Sequence, residues 1–406
     1  MTDPTHNPSY VLLVFVVLLA TDCSPTSEKP ADLSTQITLT RVSTESWQLE
    51  YSFSHPIRGI LLGPPVVAYR STAWDLLTPD VSLQQDDNQE KLFATGLPIS
   101  TLRFAVRSYS DFPPDNYVPI ATFSDGGAAV YLGFFSGEAI TDDENKPLNP
   151  RFRLTGLNGE YVLSSAQTRH GVGGYAYFGP QKPVDAGKAR LILDPELPDW
   201  LRITFTEVVP AVTVILRERL GRELEETPRI LIAAGELRNY AGYSIKGGAV
   251  NNDLFMMLRG RDLLEESVDL RKMFEKLVSH ELAHLWQADT LQGGFSHQEP
   301  WIHEGSAEAM AVTALTQAGL WSEADAAAFS RDAARQCQES LGDTSLADAV
   351  GQGNWSPVYS CGYGMFDLND PDVFEIWSSL TSEAKRQNRP YTQTMLERVL
   401  IQHTAS

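Results

Sequence analysis

Residues 267–290 form a run without proline or glycine, along which apolar side chains recur at helical spacing. Ser267 is a residue type that caps helices, and Gly293 and Gly294 break the pattern afterwards. The run therefore predicts one long, largely buried helix. His280 and His284 lie four residues apart within it and share one helix face, so their imidazoles can bind one metal ion.

The residue next to the first histidine extends this interpretation. His280-Glu281-Leu282-Ala283-His284 matches His-Glu-x-x-His, the helix signature of zinc peptidases. Glu281 lies on the same turn, where it can reach a metal-bound water and act as general base. The alternative is an amphipathic helix whose histidines only pack or face water. The capped, uninterrupted apolar run favours the metal site.

A third zinc ligand must come from another segment. The metzincin pattern needs a glycine and a third histidine soon after the helix, and residues 285–291 contain neither. Trp301-Ile302-His303-Glu304-Gly305-Ser306-Ala307 resembles the Trp-Leu-Asn-Glu-Gly-x-Ala stretch of the aminopeptidase-N-like and glycyl-aminopeptidase-like gluzincins. The resemblance implies Glu304 as third ligand to one zinc ion per chain. Nineteen residues separate it from His284, one more than that family usually has.

Neighbours of the third ligand have weaker assignments. Glu308 lies one turn after Glu304 and is placed to accept the second ring N–H of a metal-bound histidine. A solvated helix carboxylate is an equal alternative for this residue. His303 takes the family's Asn position and is an alternative ligand, although its side chain is expected to point about 100° away from that of Glu304. His297 is a further candidate to line a cleft, with a plain surface histidine as the alternative.

Residues 357–362 resemble the Tyr-x-x-Gly segment that opens a later helix in the same family. The resemblance gives Tyr359 the role of the tyrosine that hydrogen-bonds the tetrahedral oxyanion in the relatives. Tyr363 is the alternative, and an ordinary packed tyrosine is the alternative for both.

Gly247, Gly248 and Ala249, followed by Val250 and Asn251, occupy the place of the family's Gly-x-Met-Glu-Asn strand. The first three are predicted to bind the substrate backbone. In the aminopeptidases the Glu of this strand holds the free amino terminus of the substrate, and here the position carries Val250. The departure favours substrates that are internal or N-blocked peptides.

Together these residues imply a zinc-dependent metallopeptidase that acts on a peptide or protein through a metal-activated water. Two other functions stay open: an exported binding module that keeps the fold without turnover, and a zinc hydrolase for a non-peptide substrate. Glu281 argues against the first, because a purely structural zinc site needs no general base. A net charge of −20, spread along 406 residues, excludes nucleic acid as a partner and leaves the oligomeric state open.

The first residues and the cysteines indicate the compartment. Residues 10–20 are an apolar run of signal-peptide length, so residues 1–22 are predicted to be a signal peptide or short membrane anchor and 23–34 a polar tether. Cys23 resembles a lipidated cysteine, although residues 20–22 fit that signal poorly. We expect an extracytoplasmic protein of the periplasm or cell envelope with a Cys337–Cys361 disulfide, two free thiols being the alternative.

The predicted fold class is α+β. Residues 35–190 form an all-β N-terminal domain, in which a sandwich is expected, and residues 191–406 a thermolysin-like, mostly helical catalytic domain. Strands are predicted over residues 36–41, 47–53, 129–135, 151–154, 161–164, 229–234 and 249–258, the last as an edge strand. Helices besides the metal-binding one are predicted over residues 207–220, 304–318, 322–341, 363–368, 371–384 and 392–402.

Overall fold

The protein was analysed as a computed structural model that describes residues 33–63, 69–86, 89–109, 117–164, 173–291, 295–367 and 372–404. The predicted signal segment and Cys23 lie outside these ranges. In the described part of the chain, no helix is both long and apolar enough to cross a membrane.

The N-terminal part is a β-structure of three sheets, with strand orders β12-β1-β2-β7-β4, β11-β10-β3-β6-β5 and β13-β14-β9-β8. Its elements are β1 (Thr35–Ser43), β2 (Ser46–Ile57), β3 (Gly59–Leu62), the one-turn helix α1 (Tyr69–Ala73), β4 (Trp74–Leu76), β5 (Val81–Asp86), β6 (Gln89–Ala94), β7 (Ile99–Arg107), β8 (Ile120–Thr122), β9 (Ala128–Tyr131), β10 (Gly137–Ile140), β11 (Asn145–Pro147), β12 (Pro150–Thr155), β13 (Tyr161–Ser164) and β14 (Tyr175–Gly179). The predicted all-β character is confirmed.

Alternation of apolar and polar residues accounts for these strands. Along β1 and β2, Ile37, Leu39, Trp47, Leu49 and Tyr51 are buried while the residues between them are more exposed. The strand predicted over residues 129–135 is too long, because Leu132–Phe135 form a 3-10 turn. That run is apolar throughout, so its periodicity did not distinguish a strand from a buried turn.

The second part opens with a five-stranded sheet, in the order β15-β16-β17-β19-β18. Its strands are β15 (Val184–Ala186), β16 (Ala189–Leu193), β17 (Arg229–Gly235), β18 (Ser244–Val250) and β19 (Asp253–Arg259). The edge strand predicted over residues 249–258 is wrong: the chain turns at Asn251, where φ is 52°. Ser244–Val250 is the edge, and Asp253–Arg259 is buried between two strands. This sheet begins at Val184, and the predicted division after residue 190 falls within it.

Helices make up the rest of this part: α2 (Asp199–Leu220), α3 (Val268–Thr290), α4 (Pro300–Gln317), α5 (Glu323–Leu341), α6 (Leu346–Gly351), α7 (Ser356–Gly364), α8 (Val373–Gln387) and α9 (Gln393–Thr404). Ser267 caps α3 as predicted, accepting the Leu270 N–H at 3.1 Å. The prediction over residues 363–368 is wrong, because that helix, α7, ends at Gly364. Helix α4 begins four residues before the predicted start, with a proline in its first turn.

Two glycines set the distance between α4 and α7. A Cβ on Gly305 would overlap the backbone of Gly362, and a Cβ on Gly362 would lie 2.5 Å from the Trp301 carbonyl oxygen. The backbones of the two helices are therefore in direct contact. Cys361, next to this crossing, forms the predicted disulfide with Cys337 of α5.

A buried ion pair joins the two parts of the chain. Arg229 on β17 and Asp253 on β19 bind each other at 2.7–2.9 Å, and both bind the backbone of Tyr175 on β14. The Tyr175 ring stacks on Phe255 with centroids 4.2 Å apart. The aromatic segment around residue 175 thus packs at the interface between the N-terminal β-structure and the second sheet.

Candidate metal centre

Helices α3 and α4 bring three potential metal ligands to one point. His280 and His284 project from one face of α3, and Glu304 lies in the second turn of α4, which packs against it. The two Nε2 atoms are 2.9 Å apart, and each is 3.1 Å from Oε2 of Glu304. In the part of the chain that the structure describes, these are the residues whose donor atoms cluster closely enough to hold a metal ion.

This donor set fits zinc. Two imidazole nitrogens and one carboxylate oxygen are ligands that catalytic zinc sites use with a fourth position left open. Ligands at about 2.05 Å from a tetrahedral ion are separated from one another by roughly 3.3 Å, close to the observed 2.9–3.1 Å. Three donor atoms facing one another this closely are arranged for a shared cation.

Electrostatics of the cluster are consistent with a metal site. Burial lowers the pKa of His284, but Glu304, Glu281 and Gln287 together raise it by more, and the net pKa is about 9. Burial alone would raise the pKa of Glu304, and His284 and His280 instead hold it well below its usual range. His284 without metal is therefore protonated at neutral pH, with Glu304 as its counter-ion, and a bound cation would displace that proton.

Further residues orient the two histidines. Oε1 of Gln287 lies 2.8 Å from Nδ1 of His284, which directs Nε2 toward the cluster. Nδ1 of His280 lies 3.4 Å from Oε1 of Glu308 without hydrogen-bond geometry. Glu308 is instead held by the ammonium of Lys276 at 2.6 and 2.9 Å. Glu308 and His280 lie close together, as predicted, but the short hydrogen bonds of Glu308 are made with Lys276.

Glu281 is anchored by the edge strand of the sheet. Its Oε2 accepts the backbone N–H of Ala249 at 2.7 Å. A Cβ on Gly248 would lie 3.1 Å from the same oxygen, and a Cβ on Gly247, where φ is 126°, would overlap the Phe255 carbonyl. Glycines at these positions let β18 approach the carboxylate. The predicted general base and the predicted substrate-binding residues thus meet directly.

His303 is adjacent to the cluster without being part of it. Its Nε2 lies 3.4 Å from Oε1 of Glu304, and its Nδ1 lies 2.9 Å from the hydroxyl of Tyr391. The expectation that its ring points away from Glu304 is therefore wrong, because both residues lie in the first turns of α4 and face α3. Burial lowers the pKa of His303. A neutral imidazole here can fix the second oxygen of Glu304.

The two candidate tyrosines occupy different environments. Tyr359 lines the cleft, with its ring 5.9 Å from that of His280. Burial, with Glu304 and Glu281 nearby, raises the pKa of Tyr359 well above its usual value, so the phenol stays protonated. Tyr363 is buried in the core and its hydroxyl lies 2.7 Å from that of Ser330. Of the two, Tyr359 has access to the cluster.

A cleft of about 920 Å³ contains the cluster and receives residues from both parts of the chain. Besides the metal ligands and β18, it is lined by Tyr117, from the loop before β8, and by Leu285, Ala288 and Phe295. Burial and the charge of Glu281 raise the pKa of Tyr117. His297 is not among the residues that line the cleft. Sequence reasoning missed Tyr117, because no local pattern connects a loop of the β-structure with a distant helix. It also missed Gln287, although its position three residues after His284 was an available signal.

The described chain combines a β-rich first part, a small sheet and a helix pair that carries the cluster. The fold resembles that of an aminopeptidase N family protein from Idiomarina loihiensis, with a TM-score of 0.54, 13% identity, and coverage of 92% of this chain and 70% of that one. The predicted family resemblance and fold class are confirmed at the level of the fold.

Other solved structures are similar at lower scores. An M1 zinc metallopeptidase mutant from Deinococcus radiodurans, bound to a Tyr-Ser-Ala substrate, has a TM-score of 0.48 and 15% identity over 92% of this chain and 90% of that one. Native yeast LTA4 hydrolase has a TM-score of 0.48 and 12% identity over 91% and 65%. The sequence matches no protein-family model, and no curated protein matches it.

Proposed function

We propose that this protein is a zinc-dependent peptidase that hydrolyses peptide bonds. The observation that carries the proposal is the convergence of His280, His284 and Glu304 beside Glu281 in one cleft. Zinc held by the first three residues would supply a Lewis acid for a water molecule and for the scissile carbonyl. The solved structure of similar fold from Idiomarina loihiensis is named as an aminopeptidase N family protein, which supports peptide-bond hydrolysis.

The remaining roles belong to side chains of the cleft. Glu281 accepts a proton from the attacking water and passes it to the leaving amine, with its carboxylate held in place by the Ala249 N–H. Tyr359 donates a hydrogen bond to the oxygen on which negative charge develops. The β18 edge offers unpaired backbone groups to an extended peptide chain.

The substrates we propose are peptides without a required free amino terminus. Val250 lines the cleft and supplies no charge for an ammonium group. Among the described residues of the cleft, each carboxylate is already engaged: Glu281 with Ala249, Glu304 with the histidines and Glu308 with Lys276. An ammonium group there would compete with these existing partners, at a cost in binding.

The compartment we propose is extracytoplasmic, with lipid anchoring through Cys23. Support comes from the Cys337–Cys361 disulfide, which is typical of oxidising compartments, and from the apolar run over residues 10–20. Mass spectrometry of the amino-terminal peptide of the mature protein tests the anchor. An unmodified Cys23 in protein taken from membranes would rule it out.

Cleavage of a peptide library, measured with and without a chelator, tests the peptidase proposal. Glu281→Gln should keep zinc and lose about 10²–10⁴-fold in kcat, because it removes the base and leaves the ligands intact. Glu275→Gln is the matched control on the same helix: Glu275 binds Trp321 at 2.8 Å and does not line the cleft, so turnover should persist. Equal turnover in the two variants would contradict the proposal.

A pair of peptides that differ only in N-terminal acetylation tests the substrate type. We expect both to be cut at the same internal bond. Cleavage of the free peptide alone, one residue at a time from its amino terminus, would show instead that the protein is an aminopeptidase whose ammonium-binding residue lies elsewhere.

A further inference from the structure

The cleft contains two lysines with different surroundings. Lys276 lies on α3, with its ammonium bound by both oxygens of Glu308. Lys246 lies on the edge strand β18, and its side chain is exposed. Among the described residues, Lys246 makes no hydrogen bond or ion pair, so its charge is available to a ligand.

The strand geometry relates Lys246 to the catalytic group. Side chains two residues apart on a strand project from the same face, separated by roughly 6.6 Å. Gly248 is two residues after Lys246, and the Cβ position of Gly248 lies 3.1 Å from the Glu281 carboxylate. Lys246 lies on the same edge strand as Ala249, whose N–H binds Glu281, and it lines the same cleft. Its extended side chain has a reach of about 6 Å, which covers the neighbouring subsites of an extended peptide.

The other charged side chains that line the cleft determine what Lys246 can bind. Among described lining residues, Glu281, Glu304 and Glu308 each bind a group of the protein, and Lys276 is paired. Glu281, bound by the neutral Ala249 N–H, keeps its negative charge, whereas Lys246 is a positively charged lining residue that no carboxylate of the described chain neutralises. This is unusual for a chain with a net charge of −20, whose surface in general repels anions.

We infer that Lys246 is a specificity determinant that binds a carboxylate of the substrate, so that the protein prefers peptides with an acidic group near the bond that is cut. The inference rests on the proposed peptidase function and names its substrate class. The carboxylate has two sources, the side chain of Asp or Glu and a free carboxyl terminus. A partly exposed pair of this kind should change kcat/KM by about threefold to tenfold.

The experiment compares kcat/KM for matched peptides. Starting from a peptide that the parent protein cuts, Gln is replaced by Glu at each of three positions on either side of the cut. Each peptide is made as a C-terminal acid and as a C-terminal amide, which separates the two sources of the carboxylate. Variants Lys246→Met and Lys246→Glu remove and reverse the charge. Lys182→Met, at an exposed lysine outside the cleft, controls for the change in net charge.

We expect a preference of about threefold to tenfold for Glu or for the free carboxylate in the parent and in Lys182→Met. The preference should vanish in Lys246→Met and turn toward neutral peptides in Lys246→Glu. Absence of any preference in the parent, or its persistence in Lys246→Met, overturns the inference while leaving the peptidase proposal standing.

A protein that cuts no peptide would overturn the peptidase proposal, and binding then decides the role of Lys246 separately. Calorimetric titration of the zinc-loaded Glu281→Gln variant with the same acidic and neutral peptides measures affinity without turnover. Tighter binding of the acidic peptide that is lost on adding Lys246→Met supports the inference. Equal affinities for the two peptides overturn it.

Discussion

The contact between α4 and α7 gives a sharp test of how the site is held together. In Gly362→Ala the new methyl would lie 2.5 Å from the Trp301 carbonyl oxygen and 3.0 Å from Cα of Gly305, whereas ordinary contact begins at 3.4 Å. The helices must therefore separate by about 0.9 Å. Overpacking of this kind costs about 1–3 kcal/mol.

Gly364→Ala is the matched control, because it lies on the same helix and its Cβ would meet nothing within 4 Å. Both replacements gain helix propensity, of at most about 1 kcal/mol, so comparing the two variants isolates the overpacking. For a unit of 150–250 residues, roughly 2–4 °C of Tm corresponds to 1 kcal/mol. We expect Gly362→Ala to melt about 2–12 °C below Gly364→Ala.

Kinetics of the same pair report on the site. Tyr359 lies one helical turn before Gly362, and a misplacement of about 1 Å can cost 10²-fold in rate. Turnover by Gly362→Ala should fall accordingly, and turnover by Gly364→Ala should match the parent. Equal Tm and equal kcat in the two variants would refute the claim that direct backbone contact positions α7.

Three further predictions concern single residues. Tyr359→Phe should lower kcat about 10²-fold with little change in KM, whereas Tyr363→Phe should lower Tm; the reverse pattern would contradict the assignment. Reducing the disulfide of Cys337 and Cys361 releases a loop of 24 residues and should remove about 3 kcal/mol of stability, read as a lower Tm with reductant; an unchanged Tm would argue against its contribution. Burial raises the pKa of Glu275, so the parent loses stability as pH rises from the unfolded pKa through the folded one. Glu275→Gln should therefore have a higher Tm than the parent at pH 8 but not at pH 4. A Tm difference that is the same at both pH values would show that ionisation of Glu275 is not its cause.

The residues that sequence reasoning located share a local signal. His280 and His284 are separated by one helical turn, and Ser267 caps the helix that carries them, so both features follow from spacing along one element. Glu304 needed the family resemblance, because its approach to α3 depends on how two helices pack. The edge strand was predicted on the second strand of the hairpin instead of the first. The turn between them, where Asn251 has a positive φ, gives no sequence signal within an apolar-rich run.

What was missed depends on tertiary packing. Tyr117 reaches the cleft from the N-terminal β-structure, and Lys276 meets Glu308 across two helices. The start of α2 was placed eight residues late. Such contacts join residues far apart in sequence, and no periodicity within one segment encodes them.

The ion pair of Arg229 and Asp253 implies that the two parts of the chain stay associated after a cut between them. Each residue binds the Tyr175 backbone, so detaching the N-terminal part would leave two buried charges without their neutral partner and expose the stacked ring of Phe255. A protease cut near residues 180–183 should therefore not release an active catalytic half. The nicked halves should stay associated in native buffer and separate only under denaturing conditions.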